Sequence, residues 1–164
     1  MININEYLIS KNKKSSIISA TNYDIFEIVR REIETLGENA SLNHIDVSQV
    51  TDFFNWPSGE GEPENITGLF EGTGFYGDVS GWDMSNAKIV DWMFKGCENF
   101  DCDISRWDMS NVETCRGMFS GCKAFFQDLT KWNMKNVRFK KDRHYMFEDS
   151  AMIRGMQYWP KFGY

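Results

Sequence analysis

The strongest constraint on this chain is a twenty-five-residue register that carries one string through successive copies. Residues 75–99 read F-Y-G-D-V-S-G-W-D-M-S-N-A-K-I-V-D-W-M-F-K-G-C-E-N, and residues 100–124 read F-D-C-D-I-S-R-W-D-M-S-N-V-E-T-C-R-G-M-F-S-G-C-K-A. Phe75, Phe100 and Phe125 correspond, as do Asp78, Asp103 and Asp128, then Trp82, Trp107 and Trp132, then Asn86, Asn111 and Asn136. A period of this length implies stacked units: one unit cannot bury its own apolar face, whereas a neighbour one period away places like against like. The third copy keeps the register through Val137 and then carries three extra residues, so that Met146 and Phe147 answer Met118 and Phe119. A truncated fourth copy is expected to follow, with Met152, Met156 and Trp159 in the places of Phe100, Ile104 and Trp107.

Inside a unit the apolar pattern changes period. Ile104, Trp107 and Met109 lie in an irregular extended segment, and Val112, Cys115, Met118 and Phe119 then recur at helical spacing. Ser110 stands where a helix N-cap would be and Gly121 where a C-terminal cap would be. Each unit is therefore expected to be a short strand, a turn, and a helix or 3₁₀ segment of about two turns. The recurring polar residues have a structural reading. Asn86, Asn111 and Asn136 would form a ladder whose side-chain amides satisfy turn backbone groups, and the repeated aspartates would accept turn N–H bonds.

The strings G-D-V-S-G-W-D-M-S-N at residues 77–86 and D-I-S-R-W-D-M-S-N-V at residues 103–112 closely match a known repeat, F-x-G-D-I-S-x-W-D-V-S-N-V-T-x-M-x-x-M-F. The chain here resembles the BspA-like leucine-rich-repeat family of bacterial surface proteins and lipoproteins. Residues 42–48, L-N-H-I-D-V-S, are similar to the phrase that opens the array in that family, with Ile45 in the tryptophan place. The resemblance covers about residues 42–159. It implies an α/β repeat fold, a short right-handed leucine-rich-repeat-like solenoid that binds other macromolecules. It implies no catalytic residue, because the positions the family shares are structural ones.

Residues 1–41 are expected to form an N-terminal hairpin-helix cap on the repeat solenoid of residues 42–164, the whole being one structural domain. The hairpin would join residues 2–9 to residues 15–20 around Lys11-Asn12-Lys13-Lys14. A helix follows, with Thr21 or Asn22 as its cap, Ile25, Ile28, Val29, Ile33 and Leu36 on one apolar face, and Gly37 at its end. Residues 1–10 lack a basic leading region, an uninterrupted apolar stretch and a small-residue cleavage site. No segment approaches the roughly twenty apolar residues of a membrane span. A cytoplasmic location without membrane partners is expected, or a surface location if a signal has been removed.

Charge is unevenly spread. Residues 38–128 hold sixteen acidic and five basic residues, net −11, whereas residues 131–144 hold six basic residues and one acid, net +5. An acidic middle repels phosphate backbones, so direct nucleic-acid binding is not expected outside the basic block at Arg138 to Arg143. A protein partner with a basic surface fits the middle better. Between the opening phrase and Leu69 lies an insertion at residues 55–64, whose two prolines, two glycines and three glutamates mark a loop. Insertions of this kind map to the surface of repeat stacks, often on the binding face.

Chemistry has little foothold. His44 and His144 are the only two histidines and neither sits in a motif. The glycines form no phosphate-cradling loop. Cys97 and Cys122 are equivalent repeat positions, Cys102 replaces Gly77 and Cys115 replaces Val90, so the cysteines follow the repeat, and small hydrophobes in a reduced core are expected in place of a metal site. No enzyme activity, cofactor, metal or small-molecule substrate is expected. The expected role is a non-enzymatic protein–protein interaction module. Two alternatives remain: an acidic inhibitor, encoded by a phage or mobile element, of a host defence or nucleic-acid-binding enzyme; and a cell-surface adhesin fragment. Contacts should concentrate where the repeat is broken: at Trp56, Glu60, Glu62 and Glu64 of the insertion, at the off-pattern Trp92 and Phe126, and at the variable positions Arg106 and Lys131.

Overall fold

The repeated phenylalanines set the architecture, because flat rings at one register can lie face to face only if successive coils stack. In the computed structural model, which describes residues 16–55 and 67–163, Phe70, Phe94, Phe119 and Phe147 form one column with centroid spacings of 5.0, 5.7 and 5.8 Å and nearly parallel planes. Phe75, Phe100 and Phe125 form a second column at 6.3 and 5.8 Å. The columns interlock within each coil, through Phe70–Phe75 at 4.4 Å, Phe94–Phe100 at 4.1 Å and Phe119–Phe125 at 4.1 Å. Each such pair adds about 0.5–1.5 kcal/mol beyond the area it buries.

The backbone follows the same register. The N–H groups of Val90, Trp92, Phe94 and Gly96 donate to the carbonyls of Thr114, Arg116, Met118 and Ser120. One coil later, Cys115, Gly117, Phe119 and Gly121 donate to Asp142, His144, Met146 and Glu148. Alternate residues therefore bond across coils as in a parallel ladder. The expected helical segment of the unit is instead a run of turns over residues 116–121. Every second N–H is committed to the next coil, so the i→i−4 bonding of an α-helix cannot form. The remaining N–H groups close tight turns, such as Met118 to Cys115 and Ser120 to Gly117, and positive φ at Gly117 (55°) and Gly121 (76°) turns the alternate groups outward.

On the opposite flank the repeated polar atoms join each coil to the one before. The indole N–H groups of Trp82, Trp107 and Trp132 donate to the carbonyls of Leu42, Val79 and Ile104 at 2.9, 3.1 and 3.1 Å. The amide nitrogens of Asn86, Asn111 and Asn136 donate to the carbonyls of Ser48, Ser85 and Ser110 at 2.8, 2.7 and 2.8 Å. Asn86 and Asn111 are exposed, so this ladder runs along the surface. Asp78, Asp83, Asp103, Asp108 and Asp128 each accept the N–H two residues on, at 2.9 to 3.0 Å.

The N-terminal end is closed by β1 (Ile18–Ser19), parallel to β2 (Ile45–Asp46), and by α1 (Ile25–Leu36), which buries Ile25, Ile28, Val29 and Ile33. Residues 18–19 pair with the first coil, and the hairpin partner expected at residues 2–9 lies outside the described residues. Two details of the helix differ from the sequence expectation. The residue at the helix N-cap is Asp24, whose carboxylate accepts the N–H and hydroxyl of Thr21 at 2.7 and 2.9 Å, and Leu36 is exposed. β3 (Phe54–Asn55) and β4 (Thr67–Gly68) pair antiparallel on either side of the insertion.

At the C-terminal end, β5 (Asn133–Met134) pairs parallel with β6 (Lys161–Phe162), after 3₁₀ segments at Lys140–Arg143, Ala151–Arg154 and Met156–Tyr158. The truncated fourth copy does not form as expected. Met152 is buried, but Met156 is 70% exposed, and Trp159 donates to Met152 of its own segment at 2.7 Å, not to the preceding coil. The two 3₁₀ turns displace Met156 and Trp159 from their expected places, while residues 158–162 still run beside the preceding coil, with the Leu129 N–H donating to Tyr158 and β6 parallel to β5.

Candidate interaction surface

Trp92 breaks the repeat where it folds into a positive φ of 54°, a conformation its counterparts Gly117 (55°) and Tyr145 (60°) share. Its indole fills the space over Gly117, where an added Cβ would stand 2.4 Å from Trp92 Cδ1. Phe54 meets the ring edge-on at 5.6 Å, and the Lys95 ammonium lies 4.7 Å from its centroid. Lys95 also pairs with Glu71 at 2.8 Å. Trp92 and Phe54 thus form a half-buried aromatic pair on the ladder side of the stack.

Phe126 lies elsewhere. Its N–H donates to Asp101 Oδ1 at 3.0 Å, and its ring meets Tyr158 edge-on at 5.5 Å against the terminal segment, while the ring itself stays about half exposed. Arg106 and Lys131 are exposed and occupy equivalent positions on the turn flank. The Asp103 carboxyl beside them sits below its ordinary value, chiefly because the Ser105 hydroxyl and N–H donate to it, with both cations adding to the effect. The structure therefore sets Arg106 and Lys131 exposed on one flank, and gives Trp92 and Phe126 separate surroundings. Trp56, Glu60, Glu62 and Glu64 lie outside the described residues.

The sequence reading missed a charged cluster beside Trp92. Asp91 is buried and accepts the Thr114 hydroxyl and the Arg116 N–H, both at 2.7 Å. The Arg116 guanidinium lies 3.7 Å from Asp91 and 3.8 Å from Asp142. Burial pushes the Asp91 carboxyl up despite these donors, and burial likewise raises Asp52, with the Asp91 charge contributing. The signal was legible in principle: Asp91 and Arg116 are opposite charges one period apart, as are Glu98 and Lys123, which pair at 2.6 Å.

His44 bonds Glu32 at 3.0 Å and so ties the first coil to α1. The four cysteines are free. Burial pushes the Cys97 thiol up to about 12 and Cys102 up to about 11, and raises Cys115 and Cys122 as well. Among the described residues no group of three His, Cys, Asp or Glu side chains gathers as a metal site, and no helix is long and apolar enough to cross a membrane.

Residues 61–159, more than half of the chain, match the family described as Mycoplasma protein of unknown function, DUF285. The chain belongs to that family. The DUF285 region takes in the second and third coils with their aromatic columns and asparagine ladder, together with Trp92, Arg106, Phe126 and Lys131; β1 and α1 precede it. No curated protein and no solved structure matches the chain.

Proposed function

We propose that this DUF285 chain is a non-enzymatic protein-interaction module, a BspA-like, leucine-rich-repeat-type α/β solenoid that binds a protein with a basic surface. The observation that carries this reading is the fate of the repeated polar side chains. The tryptophan indoles, asparagine amides and turn aspartates bond within the stack, which leaves partner choice to the residues outside the repeat. Those residues include the Trp92–Phe54 pair, Arg106, Lys131 and Phe126, set on a chain whose residues 38–128 carry net −11. Aromatic anchors with a charged rim are the anatomy of a selective protein interface.

That negative charge favours the narrower reading of an acidic inhibitor that covers the basic surface of a nucleic-acid-binding enzyme. A surface adhesin is separable from it by export tagging. For a partner captured from the source cells, Glu60→Lys, Glu62→Lys and Glu64→Lys together should slow association and flatten its salt dependence, and Trp92→Ala should speed dissociation, costing about 2 kcal/mol. Binding that survives both sets of substitutions would overturn this map.

A further inference from the structure

The two ends of the stack are finished differently. At the N-terminal end the first coil meets β1, Asn22 and α1. At the C-terminal end the last coil keeps the ladder conformation although its glycines are gone: Tyr145 (60°) and Asp149 (53°) hold the positive φ of Gly117 and Gly121. A non-glycine side chain in that region is strained and persists only where the surroundings impose it. The carbonyls of His144, Met146 and Glu148 accept from the preceding coil. The N–H groups of Tyr145, Phe147 and Asp149 correspond to those of Gly117, Phe119 and Gly121, which donate to the next coil. Among the described residues these three N–H groups meet no acceptor.

Tyr145 and Phe147 belong to the wall of a groove of about 520 Å³, lined mainly by Lys140, Arg143, Tyr145, Phe147, Ile153 and Trp159, and Asp149 lines the adjoining cavity, which shares Ile153 with it. The groove is largely apolar. The Arg143 guanidinium lies 4.5 Å from the Phe162 centroid, and its Nη1 is buried with no hydrogen-bond partner among the described residues. Lys140 and Arg143 outnumber the single lining acid, Glu148. Exposed Tyr145 and Ile153 stand at its edge.

We infer that this groove receives an extended, acidic peptide segment of a partner protein, which continues the ladder by offering alternate backbone carbonyls to the N–H groups of Tyr145, Phe147 and Asp149. An acidic side chain of the segment meets Arg143, and an aromatic one packs on half-buried Trp159, which itself closes the phenylalanine column on Phe147 at 4.7 Å. Backbone carbonyls supply the affinity and the flanking side chains the choice of sequence, as in strand addition to a sheet edge. A second copy of this chain is a poorer occupant, because its N-terminal end is already covered by α1 and β1. The groove includes none of Trp92, Arg106, Phe126 and Lys131, and neither reading depends on the other.

The test uses the full chain, isotope-labelled, and a short blocked peptide of alternating aspartate and phenylalanine. In the free protein the amides of Tyr145, Phe147 and Asp149 should exchange fast while those of Gly117, Phe119 and Gly121 are protected, and the peptide should slow the first set by about tenfold or more. Arg143→Gln should weaken binding about tenfold. Ile153→Asp, at an exposed position, should do the same by placing a like charge at the groove. Four results would each overturn the inference: protection of the three amides in the free chain; no response to the peptide at millimolar concentration; binding indifferent to both substitutions; or sedimentation showing that a second copy fills the groove.

Discussion

Asn22 Oδ1 accepts the N–H of Thr51 at 2.8 Å, and that of Asp52 at 3.2 Å, in the position a preceding coil's carbonyl would take. Later coils repeat this fork with backbone oxygens. The Thr51 carbonyl accepts from Lys88 and Ile89, and the Lys88 carbonyl from Glu113 and Thr114. A side-chain amide therefore starts the ladder, and its Nδ2 adds a bond to the Thr51 hydroxyl at 2.8 Å.

Asn22→Ala should lower stability by about 0.5–1.5 kcal/mol, the range for hydrogen bonds that water replaces in part. Asn22→Asp keeps the acceptor and loses the donor, so its urea midpoint should fall between those of the parent and the alanine variant. An alanine variant as stable as the parent would show that the fork contributes nothing.

Trp107 is 4% exposed, stacks on Trp132 at 6.4 Å and donates to Val79 at 3.1 Å. Trp107→Ala should cost about 3–5 kcal/mol, the range for truncating a buried aromatic. Trp107→Phe keeps much of the ring but orphans the carbonyl, and should cost about 1–3 kcal/mol. Denaturant unfolding checks both values.

Gly117→Ala meets two penalties, a φ of 55° and a Cβ placed 2.4 Å from Trp92 Cδ1. It should destabilise by about 1–3 kcal/mol. With Trp92→Ala in the same chain only the backbone penalty remains, so a double-mutant cycle should give a coupling of about 0.5–3 kcal/mol. Additive losses would place the indole away from Gly117.

Native thiols should react slowly. Thiolate is the reactive form, and burial raises all four cysteines, Cys97 to about 12 and Cys102 to about 11. In a timed thiol titration half-buried Cys102 should label first and the other three only on unfolding, with chelator leaving the melting temperature unchanged.

The turn aspartates predict an acid limb. Hydrogen bonds from Ser48, Ser105, Ser110 and Thr130 hold Asp46, Asp103, Asp108 and Asp128 below the ordinary value of 3.8. Their stabilisation is complete above the unfolded value and is lost as pH falls through the lowered folded values. Asp52 and Asp91, raised by burial, act in the opposite sense: their contribution is present below 3.8 and is lost as pH rises through the raised values. Asp103→Asn, Asp108→Asn and Asp128→Asn together keep an acceptor in each turn. They should flatten the fall of melting temperature below about pH 4 and shift it by no more than about 2–4 °C at neutrality.

The twenty-five-residue period by itself determined which side chains meet. It paired Phe94 with Phe119, Trp107 with Trp132, and each asparagine with the coil before it, because equivalent positions in a stack are neighbours whatever the local conformation. The local conformation was not legible. Val112, Cys115, Met118 and Phe119 have the spacing of a helix face, but a run of tight turns also brings such positions inward, and the choice between the two depends on where every second N–H donates. That acceptor belongs to another coil, so the decision lies outside the unit. The same reason hid the Asn22 fork, the burial of Asp91 and the open N–H groups of Tyr145, Phe147 and Asp149, each defined by a carbonyl or a side chain at least one period away in sequence, present or missing. It also separated Trp92 from Phe126: the sequence marked both as departures from the repeat, but only the tertiary structure set one against Phe54 and Gly117 and the other against Tyr158.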